Sequence, residues 1–140
     1  MDRRAELERI AREHGLLSVY VFGSRADEGL AVLEGRPAER EGSDLDVGVV
    51  YRGREEPDFR RLAGLQVALE DVFEPLRVDL VPLQRVDALF QFQAMDEGHR
   101  VLATASDAAD YYELYIMNRA EELLPIQRRI EEETFGVSTT

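Results

Sequence analysis

Neither cysteine nor lysine occurs among the 140 residues, and each absence removes a class of chemistry. Without cysteine there are no disulfides, no thiolate nucleophile and no Cys-ligated zinc. Without lysine there is no Walker-type phosphate lysine, no Schiff base and no lysyl-nucleotide intermediate. All 17 basic residues are arginine, so any nucleotide chemistry rests on metals, Arg and backbone N–H groups. Positive charge is itself scarce: 29 Asp and Glu leave a formal net charge of -12. A groove tracking a nucleic-acid backbone needs clustered cations, so direct nucleic-acid binding is not expected, and a small nucleotide or a basic protein suits this charge better. No apolar run approaches the roughly 18 residues that span a membrane, and the Arg- and Glu-rich start lacks a signal-peptide core. A cytoplasmic protein without membrane contact is expected.

The length fits a single domain over 1–140, too small for a catalytic domain plus a dedicated acceptor domain, so the acceptor of any transferred group comes from outside. Residues 2–14 place Leu7, Ile10, Ala11 and His14 at helical spacing, with Gly15 as a stop. Leu16 to Phe22 is a β-rich apolar run broken by Gly23, after which a helix can start with free N–H groups facing the turn. Residues 27–42, with Gly29, Gly35, Pro37 and Gly42 among charges, read as a mobile connection.

Asp44 to Tyr51 alternates Asp44, Asp46 and Gly48 on one face with Leu45, Val47 and Val49 on the other, the period of a strand. Phe59, Leu62, Leu65, Gln66, Leu69, Val72 and Phe73 return to helical spacing between Pro57 and Pro75. Arg77 to Leu83 is a third strand carrying Asp79, a helix is expected at about 86–97, and Arg100 to Thr104 is a short edge strand. Ser106 is placed to cap a final helix, with Asp107 and Asp110 in its first turn and Pro125 expected to kink or stop it. The domain core is thus set at about 16–104 and the C-terminal helix at about 107–135. The fold class is α/β: a small mixed β-sheet with helices mainly on one face.

The chemistry lies in three carboxylates and a glycine turn. Carboxylates two residues apart on a strand share a face with Cα atoms roughly 6.5 to 7 Å apart, so Asp44 and Asp46 can bracket hard cations. Asp79 on a paired strand supplies the third side of the cage. Clustered without a cation, these groups repel one another and raise their pKa values. Gly23 lacks a Cβ and lets the backbone approach phosphate, the Ser24 hydroxyl and following N–H groups can donate to it, Arg25 either adds a bidentate clamp or is simply a surface arginine, and Ser43 stands beside Asp44.

Gly23-Ser24, then Asp44-Leu45-Asp46, then Asp79 on a later strand resembles the minimal nucleotidyltransferases (MNT) of the polymerase-β-like superfamily over about Leu16 to Leu83. The resemblance implies that fold, Asp44, Asp46 and Asp79 as ligands of two Mg2+ ions, Asp79 as activator of the acceptor hydroxyl, and Gly23 with Ser24 as holder of the ATP triphosphate. It further implies the antitoxin of an MNT/HEPN toxin-antitoxin pair, which transfers AMP from ATP to a tyrosine of the HEPN toxin. Two features depart from the pattern. The stretch Arg25 to Ser43 is about twice the family's usual spacing, and Asp27 stands where many members carry a basic residue.

Two rivals stay open: a small-molecule, aminoglycoside-type nucleotidyltransferase, and a non-catalytic antitoxin that masks a toxin by contact alone. Arg9 and His14 have the Arg-x-x-x-x-His spacing of HEPN ribonucleases, but among 17 arginines and in a strand-rich domain this reads as chance; His14 is expected to cap its helix. His99, with no acidic neighbour at ligand spacing, reads as structural. On the last helix Tyr111 and Tyr115 share one face while Tyr112 and Ile116 share another, more apolar surface than one small sheet requires. That predicts an intermolecular contact, in a homo- or hetero-oligomer.

Overall fold

The computed structural model describes residues 2–53 and 57–135. Helix α1 (Arg3–Glu13) starts where the Asp2 carboxylate accepts the Ala5 N–H at 3.2 Å, satisfying one of the orphan donors of a first turn. It buries Leu7, Ile10 and Ala11; full burial of each large side chain contributes about 1.5–3 kcal/mol. His14 forms the C-cap, and Gly15 at φ +68° turns the chain into strand β1 (Leu16–Phe22). The same capping chemistry starts α3 (Phe59–Val72), where Asp58 accepts from Arg61 N–H, and α4 (Ala88–Glu97), where Asp87 accepts from Phe90 N–H, both at 2.8 Å.

Strands β2 (Leu45–Tyr51), β3 (Val78–Pro82) and β4 (His99–Ala103) complete a sheet in the order β3-β2-β1-β4. β1 pairs antiparallel with β2 and β4, and β2 pairs parallel with β3. The parallel step needs a crossover, which α3 supplies. Val19, Val21, Leu45, Val47 and Val49 point into a core shared with α1, α2 (Ala26–Leu33) and α3. The opposite face carries Leu17, Tyr20, Phe22 and Val50, covered by Leu83, Ala94 of α4 and Ala109 of α5 (Ser106–Phe135). Three helices therefore lie on one face, while α4 and α5 cover part of the other.

The connection expected over 27–42 is, in its first half, helix α2. Its charges and Gly29 hide the pattern, because Gly29 is a contact and not a breaker: a Cβ there would lie 2.8 Å from Leu45 Cδ1. The helix lies that close to the sheet only because position 29 has no side chain. Phe59, expected on the buried face of α3, is 87% exposed, since the first turn of that helix projects past the core. Pro125 does not end α5, which continues to Phe135. The Pro lacks the N–H that would bond to Glu121 C=O, but both residues are exposed and water can serve that carbonyl. His99 does have an acidic neighbour in space: its Nε2 lies 2.8 Å from Asp27 Oδ1. Arg9 is tied to Glu6 and Glu13 on the exposed side of α1.

On α5 the two faces separate as the spacing implied. Ile116 is buried and Tyr112 half-buried, its hydroxyl donating to Gln91 Oε1 at 2.6 Å; burial, with Tyr115 adding to it, pushes that phenol up to about 12. Tyr111, Leu114 and Tyr115 are exposed. Among the described residues no helix is long and apolar enough to cross a membrane.

Candidate active site

Two strand pairings build the site. Asp46 is the register partner of Phe22 on β1 and of Asp79 on β3, and Gly23 follows Phe22 directly. The parallel register therefore brings two carboxylates side by side at the ends of adjacent strands, with a glycine turn across the antiparallel pair. Gly23 has φ +76°, and a Cβ on it would stand 2.2 Å from Asp46 Oδ2. Two independent requirements, a left-handed backbone and a carboxylate in the space of the missing side chain, fix glycine at this position.

Asp46 is half-buried and its carboxyl is held above the usual carboxylate range. Burial is the largest cause, then the charge and hydrogen bond of Asp79, then the charge of Asp44. Asp79 does not point into the interior; it is exposed, as is Asp44. Of the three carboxylates expected to form a cage, Asp46 and Asp79 interact by both charge and hydrogen bond, and Asp44 acts on Asp46 through charge. Among the described residues no three His, Asp or Glu side chains stand gathered as a ready-made cage. Asp44 precedes β2 and lies outside the ladder, so the sheet does not fix it as it fixes the other two.

Ser24 Oγ lies 3.2 Å from Ser43 Oγ, which joins the start of the glycine turn to the residue before Asp44, and both serines are exposed. Arg25 is turned the other way. It is 6% exposed, and its guanidinium donates to Ser43 O at 3.0 Å, to Glu39 O at 2.5 Å and to both oxygens of Glu28. A Cβ on Gly42 (φ +123°) would meet Arg25 Nη1 at 3.4 Å. The arginine expected to clamp phosphate instead pins the long 34–44 segment against the turn. Asp27 and Glu28 fill the first turn of α2, where negative charge is favoured.

A cavity of about 120 Å3 opens beside Gly23, lined by Phe22, Gly23, Phe90, Gln93, Ala94 and Glu97. Larger ones, of about 400, 420 and 230 Å3, lie elsewhere, around His14 and Tyr51, between α4 and α5, and around Arg40 and Arg77; none of the three holds a residue of the carboxylate cluster. The α4 residues of the small cavity were not singled out from sequence. Their signal is the 90, 93, 94, 97 spacing of one helix face.

The donor set at the carboxylates is oxygen only, the chemistry of a hard cation such as Mg2+ and not of a thiol- or imidazole-seeking metal. The crowding that raises Asp46 is a surplus of negative charge that a divalent cation would relieve. The residues present therefore fit Mg2+.

A family model described as "Polymerase beta, Nucleotidyltransferase" matches residues 5–107. Among solved structures, a candidate minimal nucleotidyltransferase is 31% identical, with a TM-score of 0.51, covering 69% of this chain and 86% of the other. A chain of a mutated MntA-HpeT toxin-antitoxin complex superposes with a TM-score of 0.68 at 16% identity, covering 94% of this chain and 98% of that one. A chain of a complex between tri-AMPylated Shewanella oneidensis HEPN toxin and MNT antitoxin gives 0.66 at 16% identity, covering 95% and 96%. At such identities the likeness establishes the fold. None of the curated proteins matches this chain in sequence.

Proposed function

The chain belongs to the polymerase β nucleotidyltransferase family, and from that premise we propose that it transfers AMP from ATP to a tyrosine hydroxyl of a HEPN toxin and thereby acts as its antitoxin. The observation that carries the reading is the register pair of Asp46 with Asp79, with the Asp46 carboxylate against the Gly23 turn.

Asp44, Asp46 and Asp79 are the groups to hold Mg2+, two ions in this reading; when bound, the metal neutralises the triphosphate and lowers the pKa of the attacking hydroxyl. Gly23 allows phosphate to approach the backbone, and the Ser24 and Ser43 hydroxyls, already within reach of each other, are placed to donate to its oxygens. Arg25 acts one step back, by holding the segment that carries Ser43 and Asp44. Exposed on the outer strand β3, Asp79 is open to a bulky acceptor and orients or takes its proton. The hydroxyl oxygen bonds to the α-phosphorus, the bond from that phosphorus to the bridging oxygen breaks, and pyrophosphate leaves.

The toxin acceptor is supported by the solved relatives, one of them an MNT antitoxin with an AMPylated HEPN toxin, and by the exposed Tyr111, Leu114 and Tyr115 on α5, an apolar surface for a protein partner. Incubation with α-labelled ATP, Mg2+ and the product of the neighbouring gene tests the proposal. Label on a tyrosine of that product is expected, lost in Asp44→Asn and Asp46→Asn. Label on an added antibiotic instead, or tight binding without label, would replace it with one of the two rivals.

A further inference from the structure

We propose that the outer half of α5 is a dimerisation arm, which pairs with the same segment of a second copy of this chain running in the opposite direction.

Helix α5 outruns the domain it packs on. Its 30 residues span about 45 Å at a rise of about 1.5 Å each, and only the first half is seated: Ala109, Ile116 and Ala120 are buried, whereas none of residues 121–134 is. The apolar pattern continues past the last buried residue. Ile116, Ala120, Leu123 and Ile130 fall on one helix face, Gln127 completes the alternating steps of four and three, and Leu124 and Ile126 flank them. Leu124 is 38% exposed, and Ile126 and Ile130 are each 56% exposed. A helical segment of this length is marginal in water unless an amphipathic face is packed. Pro125 lies about 200° round the helix from Leu123 at 3.6 residues per turn, so its missing N–H opens on the back and leaves the stripe whole.

The order of charges selects the occupant. About Pro125 as centre, Glu121 mirrors Arg129, Glu122 mirrors Arg128, and Arg119 mirrors Glu131. A copy running in reverse therefore sets acid against base in all three, whereas a copy in the same direction sets like against like. At helical spacing Glu122 and Arg129 flank the stripe on one side, and Glu121 and Arg128 on the other, the positions from which paired helices exchange salt bridges. Across a two-fold axis each such pair forms twice, and the assembly closes as a dimer. The ion pairs already present within the arm, Arg119 with Glu122 at 3.1 Å and Arg129 with Glu133 at 3.2 Å, are exposed and contribute little, so they yield readily to contacts across the axis. Tyr111, Leu114 and Tyr115 lie on the seated half of α5, N-terminal to the arm, and stay open to a different partner.

Sedimentation equilibrium of the full chain over a concentration series tests this, and a reversible equilibrium between one chain and two is expected. Ile130→Asp puts a charge on the stripe at a position already exposed in the single chain, and should weaken dimerisation about tenfold or more. E121R/E122R sets arginines against arginines, R128E/R129E sets acids against acids, and each alone should weaken it by about as much. An equimolar mixture of these two variants should dimerise within about threefold of the wild type, because reversed pairing turns both mismatches into matches. That rescue also separates lost pairing from lost folding. A wild type that stays a single chain at every concentration overturns the proposal, as does an Ile130→Asp variant that dimerises like the wild type. A mixture no better than its components overturns the reversed pairing. A wild type that is monomeric alone, and needs Ile130 only to bind the product of the neighbouring gene, gives the stripe to that partner and overturns the proposal too.

Discussion

Asp46 and Asp79 are register partners on parallel strands, and their carboxyls interact by both charge and hydrogen bond, which together with burial holds Asp46 above its ordinary 3.8. The consequence for stability has a definite sign. In metal-free protein the folded chain keeps the Asp46 proton to higher pH than the unfolded chain does. Its contribution is therefore most favourable below the unfolded value and is lost as pH rises through the raised one. Asp46→Asn should flatten that part of the pH–stability curve and stabilise the metal-free protein at pH 7 by about 0.2–1 kcal/mol, the scale of directly opposed like charges on a sheet. Urea unfolding between pH 3 and 8, about the carboxylate range, measures it. Added Mg2+ should raise the melting temperature of the wild type and have little effect on the variant; the opposite pattern would remove the cation from this site.

Gly23→Ala separates stability from activity. The positive φ costs about 1–2 kcal/mol for a residue with a Cβ. The collision, at 2.2 Å from Asp46 Oδ2, is with the tip of a side chain and is relieved if that carboxylate rotates. The expected outcome is a modest loss in denaturant unfolding with a much larger fall in label transfer, because the group that moves is the one beside Asp79.

Gly29→Ala sets two effects against each other on the core side of β2. Helix propensity favours alanine by about 1 kcal/mol, but the new Cβ would lie 2.8 and 3.0 Å from the two Leu45 methyls and 3.3 Å from Val21 Cγ1. Overpacking of this kind costs about 1–3 kcal/mol, so net destabilisation is expected in chemical unfolding. A more stable variant would mean that α2 can lift from the sheet without penalty.

Arg25→Ala tests the split between holding phosphate and holding the loop. Loss of the charged hydrogen bonds to Glu28, Ser43 and Glu39 should lower stability by about 1.5–3 kcal/mol. It should also make peptide bonds in 34–44 faster to cut by a protease. Ser24→Ala should leave cleavage unchanged and weaken tripolyphosphate binding by calorimetry. Equal protease sensitivity of wild type and Arg25→Ala would count against the pinning role.

Much of this molecule is written in local pattern. The alternation of Asp44, Asp46 and Gly48 with Leu45, Val47 and Val49, the unbroken Leu16–Phe22 run, and the helical spacing ended by Gly15 and Pro75 each report a periodicity that backbone geometry imposes on neighbours in sequence. Residue chemistry carried equal information: with no lysine and no cysteine, metal-binding carboxylates, arginine and backbone N–H groups were left for phosphate chemistry. Only the tertiary structure could decide what depends on which strand lies beside which. Helix α2 was hidden because Gly29 answers to Leu45, sixteen positions away. The turn of Arg25 away from the site follows from carbonyls at 39 and 43, the contact of His99 with Asp27 from the edge position of β4, and the pairing of Asp46 with Asp79 ahead of Asp44 from the parallel register of β2 and β3. A period of two or 3.6 residues constrains direction along one element, whereas distances between elements are set by side-chain volumes meeting across the core, and those no local window contains.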